Sequence, residues 1–85
     1  MSNDIAFLLE DVIRLNPGIE ILPWFRFNHL PAHLQATSKR FANLAIELAR
    51  LPSSAERSMS LRKLLEAKDA AVRATAVTDP KPGTN

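Results

Sequence analysis

The sequence has no cysteine, only two glycines and no long hydrophobic run. Without cysteine, disulfides and zinc sites that use thiolates are excluded. The two glycines, Gly18 and Gly83, lie too far apart to form a glycine-rich phosphate loop. Every apolar stretch is far shorter than the roughly 20 residues that span a bilayer, so we expect no membrane association.

A large net charge of either sign is also absent. Eleven basic and nine acidic residues give a formal net charge of +2. This excess is too small to predict binding to a DNA or RNA polymer, because such binding depends on many phosphate contacts. The first residues carry no cationic segment ahead of an apolar run, so no secretory signal is predicted and we expect a cytoplasmic protein.

The length of the chain, 85 residues, predicts one small domain. Hydrophobic residues make up 46% and charged residues 24% of it, which is typical of a globular protein. Folding of so short a chain buries only about 60% of the surface that is exposed when it is unfolded. Small domains therefore often gain stability from disulfides, metals or oligomerisation. Since cysteine is absent, we expect a homo-oligomer.

The spacing of apolar residues predicts an all-α fold. We expect a short amphipathic helix over 1–16, an extended aromatic linker over 17–31, a long antiparallel helical hairpin over 32–76 and a disordered tail over 77–85. The first helix has Ser2, Asn3 and Asp4 as candidate caps.

The linker over 17–31 is rich in proline and aromatic residues. Proline favours an extended path with short strand-like pieces over a helix. In an extended backbone Trp24 and Arg26 point to one side, and Phe25 and Phe27 point to the other. One side can then enter the core while the other stays available.

The two hairpin helices each carry an apolar stripe at helical spacing. The stripe of the first, predicted over 32–51, consists of Leu34, Phe41, Leu44, Ala45, Leu48 and Leu51, and Ile46 lies off it. The second helix begins at a capping box, Ser53-x-x-Glu56. Its stripe consists of Leu61, Leu64, Leu65, Ala71 and Val72. A second apolar face, suited to close approach of another helix, consists of Met59, Ala67, Ala70, Ala74 and Val77.

Histidine spacing gives little support for a metal site. His29 and His33 have the i,i+4 spacing of helical metal ligands, but Pro31 places His29 outside the helix. No nearby carboxylate completes a ligand set. We therefore predict no metal and no cofactor.

Residue types that catalyse reactions also lack a recognisable arrangement. Glu66 and Asp69 share a helix face, but Arg62 and Arg73 flank them at four-residue spacings and supply ordinary surface ion pairs. No Ser or Thr stands in a nucleophile motif with a histidine partner. We therefore predict that the protein is not an enzyme.

Cations near aromatic residues indicate a ligand or a partner. Lys68 falls within the leucine stripe of the last helix, and Arg57 lies on the same side of it. The aromatic run Trp24–Phe27 leads into a helix that carries Lys39 and Arg40. Aromatic faces stack on bases and cations pair with phosphates, which suits a nucleotide. Snorkelling, with packed stems and charges that reach water, also accounts for Lys68 and Arg57. Core aromatics beside surface cations give the same pattern as the aromatic run followed by Lys39 and Arg40.

Several short motifs follow one another in a set order. They are Trp24-Phe25-x-Phe27-x-His29-Leu30-Pro31, Phe41-x-x-Leu44-Ala45, Leu51-Pro52-x-Ser54-x-Glu56-Arg57 and Leu61-Arg62-Lys63-Leu64-Leu65-Glu66-Ala67. In this order and spacing, over about residues 24–76, the chain resembles the phage helical-hairpin family of cyclic-nucleotide sponges, the anti-CBASS and related anti-Thoeris proteins.

The resemblance implies a non-enzymatic phage protein in the cytoplasm of an infected bacterium. Such a protein forms a homo-oligomer, commonly a hexamer, and sequesters cyclic di- or trinucleotides that signal in bacterial immunity. It also implies that Phe27 stacks on a base, that Lys39 or Arg40 meets a phosphate, and that Arg57 is a further phosphate contact. The expected ligand-binding residues are Trp24, Phe27, His29, Lys39, Arg40 and Arg57.

Two other functions remain open from the residues alone. One is a small structural or regulatory helical oligomer that binds another protein. The other, weaker one is binding to DNA or RNA, which predicts retention on heparin that falls with salt.

Overall fold

The computed structural model describes residues 4–78, and all of its regular elements are helical. Within that range the chain forms α1 (Asp4–Leu15), a 3-10 helix (Leu22–Phe25), α2 (Ala32–Ala49) and α3 (Ala55–Thr78). No strand occurs among these residues. The predicted all-α class is therefore confirmed.

Two sequence predictions fall partly outside the described residues. Ser2 and Asn3, the candidate caps of α1, lie before them, and positions 79–85 of the predicted tail lie after them. The described start of that tail is helical, because α3 continues to Thr78. The tail boundary predicted at position 77 is therefore wrong at its first two residues.

The segment between α1 and α2 turns instead of extending. Pro23 lies at the start of the 3-10 helix, where its fixed φ suits helical backbone and its missing N–H needs no partner. The Trp24 N–H donates to Ile21 O at 3.0 Å, and the Arg26 N–H donates to Pro23 O at 3.1 Å. The prediction of strand-like pieces in this segment is therefore wrong. Proline at the start of a helix is compatible with helical backbone, so Pro23 does not force an extended path.

Burial along this segment nevertheless alternates as predicted. Phe25 and Phe27 are buried in the core, whereas Arg26 is exposed and Trp24 is 68% exposed. Residues three apart share a side of a 3-10 helix, so Leu22 and Phe25 enter the core together. Arg26 then has extended backbone, which returns Phe27 to the same side.

The buried face of α2 overlaps only in part with the predicted stripe. Of that stripe, Ala45 is buried, and Phe41 and Leu48 pack partly buried against the core. The buried residues of α2 are Ser38, Ala42, Ala45, Ile46 and Ala49. Ile46 is 1% exposed, whereas Leu44 is 43% and Leu51 is 48% exposed. The prediction assumed one partner helix, but α2 contacts α1 and the 3-10 helix as well as α3. The alanines on this face allow those neighbours to approach closely.

Helix α3 buries one edge and leaves the opposite face in solvent. Leu61 is 1% exposed, and Leu64 and Leu65 pack partly buried against the core. The predicted second apolar face is exposed, and it consists of Met59, Ala67, Ala70, Ala74 and Val77. The apolar side chains that α3 does not use in the core are therefore accessible.

Contacts at both ends of α2 and α3 hold these helices together. Near the start of α2, Thr37 Oγ1 lies 2.8 Å from Oγ1 of Thr75 in the last turns of α3. Near the other end, Arg57 Nη1 donates to Ala49 O at 3.4 Å. The two helices are thus joined by polar contacts at both ends of their shared seam.

The N-terminus of α3 is capped by Ser54. The Arg57 N–H donates to Ser54 Oγ at 3.0 Å, which is the bond of an N-cap to the third helical residue. The predicted pairing of Ser53 with Glu56 is wrong by one residue, because the helix begins at Ala55.

The core lies between α1, the 3-10 helix, α2 and the first half of α3. Its buried apolar residues are Leu9, Val12, Leu22, Phe25, Phe27, Ala42, Ala45, Ile46, Ala49 and Leu61. Within the described range Leu61 is the one member from α3, so the second half of that helix adds no fully buried residue. None of the helices in residues 4–78 is long and apolar enough to cross a membrane.

Candidate functional site

A pocket of about 390 Å³ lies between the loop that follows α1 and the first turns of α3. Its volume falls at the lower end of the roughly 300–1,000 Å³ that is typical of small-molecule sites. The apolar part of its lining comes from Ile19, Ile21 and Leu61. The polar part comes from Asn16, Glu20, Ser53, Arg57, Ser58 and Arg62.

The loop on one side of the pocket is held by hydrogen bonds around Asn16. The Asn16 side chain donates from Nδ2 to Val12 O at 2.9 Å, which satisfies a carbonyl in the last turn of α1. The Ile19 N–H in turn donates to Asn16 O at 3.0 Å. Pro17 follows directly and cannot continue the helix. These bonds hold the loop that contributes Ile19 and Ile21 to the pocket wall.

Arg57 on the other side of the pocket is fixed by the turn between α2 and α3. Its Nη1 donates to Leu51 O at 3.1 Å and to Ala49 O at 3.4 Å, and its Nη2 lies 3.5 Å from Ser53 Oγ. Its Nε is buried and has no hydrogen-bond partner within residues 4–78. A guanidinium has five N–H donors, so Nη2 of Arg57 keeps one N–H for a ligand while carbonyls set the position of the side chain.

The charges of the pocket favour an anion. Arg57 and Arg62 bring two guanidinium groups, against the one carboxylate of Glu20. The first turn of α3 lies beside them, and the N-terminus of a helix carries a partial positive charge. Ser53 and Ser58 add hydroxyl groups that donate to or accept from a ligand.

This combination suits a ligand that is anionic at one end and flat or apolar at the other. Arginine pairs with phosphate through parallel N–H donors, with both charge and geometric match. Ile19, Ile21 and Leu61 offer apolar surface for a ring beside those donors. A nucleotide has both parts, a phosphate and a base.

The structure separates the two aromatic residues that the sequence assigned to a ligand site. Phe27 is 4% exposed and belongs to the core, so its ring faces are covered by protein and are not open to a base. The stacking role implied for Phe27 is therefore corrected. Trp24 is 68% exposed and presents the open aromatic surface of this segment.

The remaining predicted residues lie apart from the pocket, except Arg57. His29 is exposed in the turn before α2, Lys39 is half-buried on α2, and Arg40 is exposed on α2. None of these three lines the pocket, which is built from described residues of the α1 loop and α3. Arg57 is thus the one predicted ligand-binding residue that the structure places there.

The lysine within the predicted apolar stripe of α3 has a largely packed side chain. Lys68 has a side chain that is 13% exposed, and its Nζ lies 2.9 Å from Asp69 Oδ1. Its stem is therefore packed while its charge reaches an exposed carboxylate, as the snorkelling alternative predicts. Among residues 4–78 no group of His, Cys, Asp or Glu is arranged to hold a metal ion.

Sequence reasoning missed Arg62, Glu20 and the loop between α1 and the 3-10 helix. Arg62 was interpreted as a surface ion-pair partner, and the Asn16-Pro17-Gly18 motif only as a helix stop. The available signal was the spacing of Arg57 and Arg62 within two turns at the start of one helix. Nothing local in the sequence indicated that the loop would face them.

Comparison with known proteins found no matching family model, no matching curated sequence and no matching solved structure.

Proposed function

We propose that this protein binds cyclic oligonucleotide second messengers of bacterial immunity and sequesters them without cleaving them. It would act as a phage-encoded immune-evasion protein in the cytoplasm of the infected bacterium. The observation that carries the proposal is the pocket in which Arg57 and Arg62 lie beside hydroxyl groups and an apolar wall. This chemistry fits a phosphodiester joined to a base.

The resemblance to phage cyclic-nucleotide sponges supports the same ligand class. Its motifs include Glu56-Arg57 and Leu61-Arg62-Lys63, and these motifs contain both arginines and the leucine of the pocket. The resemblance and the pocket chemistry therefore rest in part on the same residues, and both indicate a phosphate-bearing ligand.

The small volume of the pocket supports binding by more than one subunit. About 390 Å³ is room for one nucleotide unit, whereas a cyclic dinucleotide carries two phosphates and two bases. A second copy of the chain, related by a two-fold axis, would supply the same contacts to the other half. We propose that α2 and α3 form an antiparallel hairpin that assembles into a homo-oligomer, specifically a hexamer. Trp24 would then stack on a base at a subunit contact.

Sequestration also fits the way the pocket is built. A sponge requires tight binding and slow release, and it does not require complementarity to a transition state. Arg57 is held in place by carbonyls before any ligand arrives, which reduces the entropy cost of binding.

The experiment that tests this function is calorimetry with a matched pair of variants. Arg62→Ala and Arg73→Ala each remove an exposed arginine from α3, but only Arg62 lines the pocket. Titration with a panel of cyclic di- and trinucleotides should show binding to the wild type and to Arg73→Ala, with a loss of at least about tenfold, or 1.4 kcal/mol, in Arg62→Ala. Equal affinities in the two variants would remove the pocket from the proposal.

A second candidate is a small structural or regulatory helical oligomer that binds another protein. It is favoured by the exposed apolar face of α3, where Met59 is 49% and Val77 is 82% exposed. Large exposed apolar patches often mark protein interaction sites. Absence of heat with every cyclic nucleotide at micromolar protein would favour this candidate over the sponge.

A further inference from the structure

Among the described residues, Glu20 is the one acidic residue in the lining of a pocket that otherwise favours anions. It is exposed, and within residues 4–78 its carboxylate makes no hydrogen bond or ion pair. A carboxylate beside a phosphate site repels the phosphate. That cost is offset when the ligand brings hydrogen-bond donors to the carboxylate, because an ionised carboxylate only accepts hydrogen bonds.

The loop places Glu20 between two side chains that form the apolar wall. Ile19 and Ile21 flank it in the sequence and both line the pocket. The Ile19 N–H donates to Asn16 O at 3.0 Å, and the Leu22 N–H donates to Ile19 O at 3.3 Å, so turns on either side restrain the loop. A ring that lies against Ile19 and Ile21 therefore presents its edge close to the Glu20 carboxylate.

The two walls of the pocket thus offer different contacts to a ligand. Arg57 and Arg62 on α3 offer donors to a phosphate, and the loop offers an apolar surface with an acceptor beside it. A nucleobase with adjacent donors on one edge satisfies both oxygens of a carboxylate, and paired hydrogen bonds to an ionised group are stronger than single neutral ones.

We propose that Glu20 makes this pocket select guanine, an inference that rests on the function proposed above. Guanine carries N1–H and an N2 amino group side by side, which match the two oxygens of a carboxylate. Adenine and cytosine place one amino group beside a ring nitrogen that is an acceptor. Uracil places one N–H between two carbonyl oxygens. Each of these bases leaves an acceptor facing the negative charge of Glu20.

The ligand class that follows is a cyclic dinucleotide with at least one guanine. The pocket has room for one nucleotide unit, so each pocket reads one base. A ligand with two guanines satisfies two pockets related by symmetry, and a ligand with one guanine satisfies one of them.

Affinity measurements with four ligands test the inference. Cyclic di-GMP, cyclic GMP-AMP, cyclic di-AMP and cyclic di-UMP would be titrated into the wild type, Glu20→Gln and Glu56→Gln. Glu56 is an exposed carboxylate in the first turn of α3 that does not line the pocket, so it is the matched control. Circular dichroism of each variant checks that the helices are intact.

The wild type and Glu56→Gln should bind cyclic di-GMP at least about tenfold more tightly than cyclic di-AMP. In Glu20→Gln the guanine preference should fall by the same factor, and affinity for cyclic di-AMP should rise, because removal of the negative charge ends its repulsion of phosphate. A structural role alone would not raise affinity for the adenine ligand.

Two different failures are distinguishable. Binding of all four ligands with equal affinity, or a preference that Glu20→Gln leaves unchanged, would overturn the guanine inference and leave the proposed function standing. If none of the four ligands and no cyclic trinucleotide binds, both the proposed function and the inference are overturned.

Discussion

Arg57 serves both the fold and the pocket. Its Nη1 donates to Ala49 O, the last carbonyl of α2, which has no partner within its own helix, and to Leu51 O in the turn that follows. Its remaining surface faces the pocket. An arginine at this position therefore links the geometry of the turn between α2 and α3 to the position of a positive charge.

This double role predicts how Arg57→Ala differs from Arg62→Ala. Loss of Arg57 leaves two carbonyls without a protein donor, so we expect a loss on the order of 1 kcal/mol in the free energy of unfolding, together with loss of ligand binding. Arg62 is exposed and makes no comparable contacts to α2, so its removal should leave stability within about 0.5 kcal/mol. Urea unfolding of the wild type and both variants measures this. Equal stability of the two variants would contradict the structural part of the role.

Ser38, in contrast to Arg57, is a buried polar residue whose hydroxyl makes no hydrogen bond within residues 4–78 that would stabilise the fold. It is 0% exposed, and its Oγ has no hydrogen-bond partner among the described residues. A buried hydroxyl without a partner costs stability, so we expect Ser38→Ala to raise the free energy of unfolding by about 1 kcal/mol. Thermal unfolding checks this.

The control for Ser38 is Ser60→Ala on α3. The Ser60 Oγ donates to Arg57 O at 2.8 Å, so its removal deletes a bond and should not stabilise the protein. A clear loss of stability in Ser38→Ala would show that its hydroxyl is satisfied in solution, for example by a water.

At the scale of elements, one ion pair ties α1 to the segment after the 3-10 helix. Arg26 donates from Nε to Glu10 Oε2 at 2.7 Å and from Nη2 to Glu10 Oε1 at 2.9 Å. The hydrogen bonds from Arg26 hold the pKa of Glu10 below its ordinary value of 4.5. A carboxyl group whose native pKa is lowered stabilises the fold above its unfolded pKa, and this contribution is lost as pH falls through the native pKa.

We therefore expect Glu10→Gln to lower the melting temperature at pH 7 and to lower it less as the pH falls toward 3. Both side chains are about half exposed, at 50% and 48%, so solvent screening limits the pair. A contribution of about 0.2–1 kcal/mol corresponds to a shift of about 1–8 °C. Melting curves from pH 3 to pH 7 measure it.

The matched control is Asp11→Asn on the same helix. Asp11 pairs with Arg14 at 2.7 Å three residues away within α1, so that pair ties no second element. Its loss should shift the melting temperature less. A Glu10→Gln effect that stays constant down to pH 3 would contradict the assignment to the ionised carboxylate.

The elements were more predictable from the sequence than the contacts between them. Apolar spacing located α1, α2 and α3 because helix periodicity is a local property. The buried face of α2 was predicted only in part, because α2 also contacts α1 and the 3-10 helix. Ala45 is buried as predicted, whereas Ile46, which was placed off the stripe, is buried too. The ligand role of Phe27 came from the resemblance, whereas its burial depends on how the segment packs against the helices.

The pocket was only partly predictable for a related physical reason. Arg57 was found because it lies within a motif and on an apolar stripe. Glu20 and Arg62 line the same pocket only because the loop that follows α1 lies near the start of α3. No spacing rule connects residues so far apart in the sequence. The N-cap of α3 could not be assigned from residue type either, since Ser53 and Ser54 are the same type of cap.

At the scale of the whole molecule, the core is small and several large apolar side chains remain in solvent. Alanine supplies three of the buried core positions on α2. Phe7 is 69%, Trp24 68% and Met59 49% exposed. Single exposed apolar residues are common, but a row of them along one face of α3 is what a helix interface requires.

We expect light scattering to report a mass that is a multiple of the 9.4 kDa chain. Ala70→Glu places a charge on the exposed apolar face of α3 and should lower that mass, because an unpaired buried charge is costly. Ala36→Glu makes the same change on the exposed side of α2 and is the control. A monomer at all concentrations, or equal effects of the two substitutions, would contradict assembly through α3.

Recovery of the bound ligand tests the central claim most directly. Protein in excess of a cyclic dinucleotide would be incubated with it and separated from free ligand, and then denatured by heat to release what it holds. Sequestration predicts that the ligand elutes with the protein and is recovered intact in full by chromatography. Ligand that stays free at micromolar protein, or that is released as a linear product, would contradict the account.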